Sequence, residues 1–213
     1  MTRVGWPTWL ALWFAGLFVA LTVLMVTRVT QSLDTQVIHH FRPEDVWGPS
    51  QIRVSPWMSR LRPERMYLLL AFTSLVMSLW RRSWWPVVYS TVLAGASMAV
   101  TLVVKFAIER PDPHGDVAAS GGSYPSGHVV AVVVCLAGCI FVVWPRARWW
   151  LWLPMVSATG LMITALIVSA AHWPSDVLAG ALLGLAVVTG GSRLRLRRRA
   201  HEPAATGDGR PLR

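Results

Sequence analysis

Six apolar stretches, separated by polar and charged segments, dominate the chain. Most are close to the roughly 20 residues that an α-helix needs to cross about 30 Å of hydrocarbon. The pattern predicts an all-α integral membrane protein with six transmembrane helices. The predicted spans are Thr8–Thr27, Met66–Trp80, Pro86–Val104, Gly127–Trp144, Trp150–Ala170 and Ser175–Gly191.

The first stretch has two interpretations. Arg3 precedes it, as in a signal peptide. However, its apolar core is long, and the exit Met25-Val26-Thr27-Arg28 has no small-x-small cleavage site. These features favour an uncleaved helix.

Composition agrees with a membrane protein. The hydrophobic residue types make up 54% of the chain and the charged types only 14%, whereas about a quarter of a soluble domain is charged. The mean hydropathy is +0.48, which argues against a soluble domain and against a disordered chain. Both cysteines, Cys135 and Cys139, lie in an apolar run, so we interpret them as packing residues.

The distribution of charge predicts the orientation. With both termini in the cytoplasm, the whole net charge of +10 falls on the cytoplasmic side, as the positive-inside rule requires. The sequence therefore predicts a multi-pass protein of the plasma membrane. The basic run Arg193–Arg199 is interpreted as an anchor on anionic lipid, and no nucleic acid partner is expected.

The chain divides into two predicted parts. Residues 1–192 form the membrane domain, and residues 193–213 form a basic, disordered cytoplasmic tail. An extracytoplasmic loop of about residues 28–65 is too long for a simple turn. Within it, four apolar residues at helical spacing predict a short helix on the outer membrane surface: Leu33, Val37, Ile38 and Phe41.

Three polar clusters fall on the outer side in this topology, at the ends of four helices. They run from Lys105 to Pro113, from Tyr124 to His128, and from His172 to Gly180. Ionisable groups at such positions in a membrane protein are candidates for function. Their convergence predicts a pocket.

The cluster Pro125-Ser126-Gly127-His128 opens the fourth predicted helix. The free N–H groups and the dipole of a helix N-terminus favour an anion. Ser126 adds a hydroxyl donor, and Gly127 lets a ligand approach the backbone. The alternative is an ordinary cap, in which Ser126 caps the helix and His128 has no role.

His172 and Asp176 are four residues apart, with Pro174 between them at a predicted helix start. A carboxylate one turn along accepts a proton from the imidazole and fixes its tautomer, which yields a nucleophile or a base. The alternative is an N-cap made by Ser175 and Asp176.

Basic residues complete the candidate site. Lys105 is the only lysine in the chain, and Arg110 follows just over one turn later. Together with the two histidines they indicate a phosphate site, in which one imidazole attacks phosphorus and the other protonates the leaving oxygen.

These residues resemble the type 2 phosphatidic acid phosphatase family, the membrane relatives of the vanadium haloperoxidases. The family pattern is Lys-x6-Arg-Pro, then Pro-Ser-Gly-His, then Ser-Arg-x5-His-x3-Asp. The second motif is complete, and so is the latter half of the third, which continues typically as Asp176-Val177-Leu178-Ala179-Gly180. The resemblance covers roughly residues 65–192.

The resemblance implies a haloperoxidase-like helical bundle and a set of roles. His172 is the nucleophile that forms a phosphohistidine, Asp176 orients it, and His128 is the general acid. No metal or other cofactor is expected. The phosphate-binding residues, with Arg110 included as a hypothesis, are Lys105, Arg110, Ser126 and Gly127.

Two departures from the family pattern weaken the phosphate site. The arginine of the first motif falls at Asp112, and the Ser-Arg of the third falls at Ala165-Leu166. Missing guanidiniums remove bidentate phosphate contacts. Our hypothesis is that Arg110 takes over one of these roles.

The sequence thus predicts a membrane phosphatase that acts on a lipid phosphate or diphosphate at the outer face. Candidate substrates are undecaprenyl diphosphate, phosphatidic acid and phosphatidylglycerol phosphate. The alternative is a catalytically impaired relative that binds or moves phospholipids. An ion transporter is disfavoured, because the ionisable groups cluster at one face.

Overall fold

The computed structural model describes residues 6–43, 46–144 and 148–201, and these ranges contain helices but no β-strand. This confirms the all-helical prediction. A short 3-10 helix, Trp149–Trp152, leads into the seventh α-helix. The α-helices of the described ranges are α1 Trp6–Val26, α2 Gln31–Phe41, α3 Pro49–Arg60, α4 Pro63–Arg81, α5 Trp85–Ile108, α6 Gly127–Val143, α7 Leu153–Val168 and α8 Pro174–His201.

Four helical segments are long and apolar enough to cross a membrane: Pro7–Val26, Trp85–Ile108, Trp149–Val168 and Pro174–Leu194. They overlap four of the six predicted spans, which confirms the membrane character. The other two predicted spans are also helical. However, α4 is less apolar, and α6 has only 17 residues. The count of six therefore stays a prediction.

Helix α6 lies at the centre of the bundle, where it contacts α4, α5, α7 and α8. It is apolar on every side, as a helix surrounded by other helices must be. Its buried residues are Val129, Val130, Ala131, Val132, Val133, Val134, Cys135, Ala137, Gly138, Ile140 and Val142.

The outward faces of the surrounding helices are also apolar. Trp13 of α1, Phe72 of α4 and Val103 of α5 are 65%, 68% and 67% exposed. Soluble monomers rarely expose large continuous apolar surfaces. These faces therefore fit contact with lipid.

Two glycines bring α8 close to α6. A Cβ atom at Gly180 would lie 2.7 Å from the Ser126 carbonyl oxygen, and one at Gly184 would lie 2.9 Å from the Val133 Cβ. Small residues four apart allow the backbones of two helices to approach in this way. The contact lies within one chain, and it positions α8 against the start of α6.

Helices α2 and α3 pack against one end of the bundle, where α5 and α7 finish and α6 and α8 begin. The short helix predicted over residues 32–41 is present. Ile38 is buried together with Asp34, whereas Leu33 and Phe41 are exposed. The helix is therefore held by a polar contact as well as an apolar one.

The last helix is longer than predicted. Helix α8 continues to His201, into the segment that was predicted as a disordered tail from residue 193. Leucine and arginine alternate from residue 193 onward, and both residue types are good helix formers. The rest of the predicted tail, residues 202–213, lies outside the described residues.

The close approach of α8 to α6 predicts different effects for two glycine substitutions. Gly184→Ala should lower the thermal unfolding temperature in detergent, because the new methyl group meets Val133. Gly160→Ala is the matched control, since it lies in α7 with open space at the Cβ position, and alanine favours a helix. Equal unfolding temperatures for the two variants would contradict the packing.

Candidate active site

The three predicted clusters meet at the end of the bundle where α6 and α8 begin. The ring centroids of His128 and His172 lie 6.1 Å apart, in an edge-to-face arrangement. The backbone N–H of Ser126 donates to the carbonyl of Asp176 at 3.0 Å. The starts of α6 and α8 are thereby joined, and both histidines face the same space.

The Asp176 carboxylate contacts His172 and also accepts a backbone N–H group at the start of its own helix. The distance from His172 Nδ1 to Asp176 Oδ2 is 3.4 Å, and the same oxygen accepts the backbone N–H of Trp173 at 3.1 Å. Asp176 is fully buried, and His172 is nearly so. With a proton on Nδ1, the ring keeps a lone pair on Nε2, which is the atom available for attack.

Arg110 binds the other side of the same carboxylate. Its Nη1 donates to Asp176 Oδ1 at 2.6 Å and to Ser175 Oγ at 2.7 Å. The guanidinium carbon lies 5.2 Å from the ring centroid of Trp173, whose Nε1–H donates to the Pro111 carbonyl. Arg110 is thus bound to the carboxylate that contacts His172, an arrangement that the motifs did not predict.

Asp34 is a residue of the candidate site that the motifs did not predict. It lies on α2, is 2% exposed, and its Oδ2 accepts Arg110 Nη2 at 2.8 Å. A signal for it exists in the sequence, because Asp34 lies one turn before the apolar Ile38 and therefore shares its helix face.

The start of α6 has the properties of an anion site. Ser126 precedes the helix, but its side chain makes no capping hydrogen bond. Its Oγ is buried and has no partner in the described part of the chain. An unsatisfied buried hydroxyl is costly, and a bound oxyanion would satisfy it.

Lys105 lies beside this helix start. A Cβ atom on Gly127 would be 3.8 Å from the Lys105 Cε, so the lysine stem passes over the first turn of α6. Its Nζ donates to the carbonyl of Gly122. Gly122 itself leaves no room for a side chain, because a Cβ atom there would lie 2.3 Å from the Arg110 amide nitrogen. The loop before α6 is thus closed onto the end of α5.

The two positions that depart from the family pattern carry no cation. The Asp112 carboxylate accepts the backbone N–H groups of His114 and Asp116, and it stabilises a turn. Leu166 is fully buried in the apolar core. Among the described residues, no group of three or more His, Cys, Asp or Glu side chains is arranged to hold a metal ion.

Comparison with solved structures supports the fold. A similar structure is described as the first transmembrane PAP2 type phosphatidylglycerolphosphate phosphatase from Bacillus subtilis. The TM-score is 0.77, and the match covers 89% of this chain and 97% of that chain at 18% sequence identity. No curated protein matches the chain significantly in sequence.

The family model described as PAP2 superfamily matches residues 83–200, which is more than half of the chain. The matched range contains Lys105, the Ser-Gly-His helix start and the pair His172 and Asp176, so the resemblance noted from the motifs is confirmed. The chain belongs to the PAP2 superfamily.

Proposed function

We propose that this chain is a metal-independent membrane phosphatase that hydrolyses a lipid phosphate or diphosphate through a phosphohistidine. The observation that carries the proposal is the pair of histidine rings 6.1 Å apart, one of them in contact with Asp176. Beside them lies the Ser126 hydroxyl, which has no hydrogen-bond partner among the described residues. A protein that only binds lipid headgroups would need an anion site, but it would need neither a nucleophile nor a general acid beside it.

The chemistry divides into two steps. His172 Nε2 attacks phosphorus, the bond from phosphorus to the leaving oxygen breaks, and protonated His128 gives its proton to that oxygen. Neutral His128 then takes a proton from water, whose oxygen attacks phosphorus. The phosphorus–nitrogen bond breaks, and inorganic phosphate leaves.

The phosphate oxygens would be held by Lys105, by the Ser126 hydroxyl and by the free N–H groups of the first turn of α6. Asp112 and Leu166 supply no guanidinium. Losing one oxyanion donor costs roughly 2.7–4 kcal/mol, or about 10²–10³ in rate. We therefore expect turnover slower than in a relative that has both arginines.

The substrate proposal is a lipid with a phosphate headgroup. The candidate site lies at one end of a bundle whose outer faces are apolar, so a lipid tail can stay in the membrane while the headgroup reaches the histidines. The structurally similar Bacillus subtilis protein is described as a phosphatidylglycerolphosphate phosphatase. We place this lipid beside undecaprenyl diphosphate and phosphatidic acid as candidates.

The topology proposal is six spans in a bacterial plasma membrane, with both termini in the cytoplasm and the site outside. Helices α4 and α6 would be the two additional spans, and residues 1–192 would form one phosphatase domain. Support comes from the charge of +10, which this orientation places wholly on the cytoplasmic side.

A second candidate function is lipid binding without turnover. It is favoured by the Arg110 guanidinium, which is bound by two carboxylates while the two family arginines are absent. Against it stands the retained set His128, His172 and Asp176. The first experiment below separates the two functions.

We expect phosphate release in detergent with EDTA present from at least one of the three candidate lipids. His172→Ala should reduce it to background, because no nucleophile remains. His39→Ala is the control, since His39 is an exposed histidine of α2 and should leave the rate unchanged. No release above the His172→Ala background from any of the three lipids would favour the lipid-binding function.

We expect His128→Ala to slow lipid phosphate hydrolysis about 10²–10⁴-fold, the usual contribution of a general acid. With p-nitrophenyl phosphate, whose leaving group needs no proton, the variant should release a burst of p-nitrophenol equal to the enzyme concentration. The phosphohistidine would then persist, because no base activates water. Equal losses of rate on the lipid phosphate and on p-nitrophenyl phosphate, without a burst, would contradict the general-acid role of His128.

We expect two single-cysteine variants, built with both native cysteines replaced by alanine, to report the topology. A membrane-impermeant maleimide should label Asp116→Cys in intact cells, because Asp116 lies in the proposed outer loop. It should label Ser83→Cys only after permeabilisation. The reverse pattern would place the site in the cytoplasm.

A further inference from the structure

Asp34 lies on α2, outside the region that the family model matches, yet it reaches the candidate active site. Its side chain is 3% exposed. An ionised carboxylate buried this deeply is costly unless it is fully paired. The groups that donate hydrogen bonds to the Asp34 carboxylate therefore indicate its role.

Every donor to Asp34 from another element belongs to the site. Its Oδ1 accepts the backbone N–H of Ser175 at 2.9 Å, and its Oδ2 accepts the Ser175 hydroxyl at 2.6 Å. The same Oδ2 accepts Arg110 Nη2 at 2.8 Å. Ser175 is in the first turn of α8, where a negative charge is favoured by the helix dipole.

Arg110 connects Asp34 to the nucleophile. One terminal nitrogen is bound to Asp34 Oδ2 and the other to Asp176 Oδ1. Asp176 therefore uses one oxygen for Arg110 and the other for His172. The contact with Asp34 thus occupies the second terminal nitrogen of Arg110, which leaves Asp176 Oδ2 to the imidazole.

Further contacts hold the segment from the end of α2 to α3 against the end of α7 and the loop that carries His172. Gln51 of α3 is buried, and its side-chain nitrogen donates to the carbonyls of Phe41 and Val168 at 3.0 Å and 2.9 Å. Arg42 donates to the carbonyl of Ser169 at 3.1 Å. The C-terminal end of α2 is thus fixed relative to the end of α7 and the loop that follows it.

We propose that Asp34 is a positioning residue of the active site, which holds Arg110 and the first turn of α8 so that Asp176 stays directed at His172. The inference rests on the proposed phosphatase function and extends it to a helix outside the matched family region. Asp34 does not face the reacting atoms, and it acts through Arg110 and Ser175.

The test compares Asp34→Asn with Asp116→Asn, a control carboxylate on an exposed turn. For Asp34→Asn we expect a loss of roughly 10–100-fold in kcat, the range found for residues that orient a ligating group. KM should change less than about twofold, because phosphate contacts stay in place. Phosphohistidine formation in a single turnover should slow by the same factor as kcat.

A double-mutant cycle separates positioning from general structural support. If Asp34 acts through Arg110, the losses in kcat for Asp34→Asn and Arg110→Gln should not multiply in the double variant. Asp34→Glu, which keeps the charge, should recover part of the rate. If Asp34→Asn does not fold, Ser175→Ala takes its place and should lower kcat about twofold to tenfold, the worth of one hydrogen bond.

The outcomes distinguish this proposal from the function on which it rests. Phosphate release that depends on His172 but is unchanged in Asp34→Asn would overturn the positioning role and leave the phosphatase intact. A loss confined to KM, or losses that multiply in the cycle, would also overturn it. Release that does not depend on His172 would overturn the phosphatase function and the positioning role together.

Discussion

The Arg110 guanidinium between two buried carboxylates is the interaction on which the candidate site depends. In a bundle with an apolar core and apolar outer faces, an ionised group persists only with a partner of opposite charge. Asp34 and Asp176 each have that partner in Arg110. The same two ion pairs connect α2, the segment that follows α5 and the start of α8. These three elements are far apart in the sequence, and the need to pair the buried charges holds them together.

This pairing also redistributes the cations around the phosphate site. Arg110 is neutralised by carboxylates, Asp112 is an acid, and Leu166 is apolar. In the proposed phosphate site, Lys105, the Ser126 hydroxyl and the N-terminus of α6 are the groups left to bind an oxyanion. A site of this kind relies on oriented dipoles more than on full charges, which suits a pocket where each unpaired charge is expensive.

Much of the fold was predictable because apolar length is a strong signal in a membrane protein, and the motifs located His128, His172 and Asp176 directly. Gln51 was not found, and although Asp34 shares a helix face with Ile38, the sequence does not show which partners that face meets. Asp34 contacts Arg110 and Ser175 across separations of 76 and 141 residues. Short-range periodicity carries no information about such pairs.

The packing of the first helix on the last one has a consequence for biosynthesis. Helix α1 contacts α8 more extensively than any other helix does, and α8 also covers α6 through Gly180 and Gly184. Until α8 leaves the ribosome, α6 has one side without protein neighbours, and Asp176 is not yet present to orient an imidazole. The candidate site is therefore complete only when the final helix has been inserted, and a chain that lacks α8 also lacks the contacts among His172, Asp176 and Arg110.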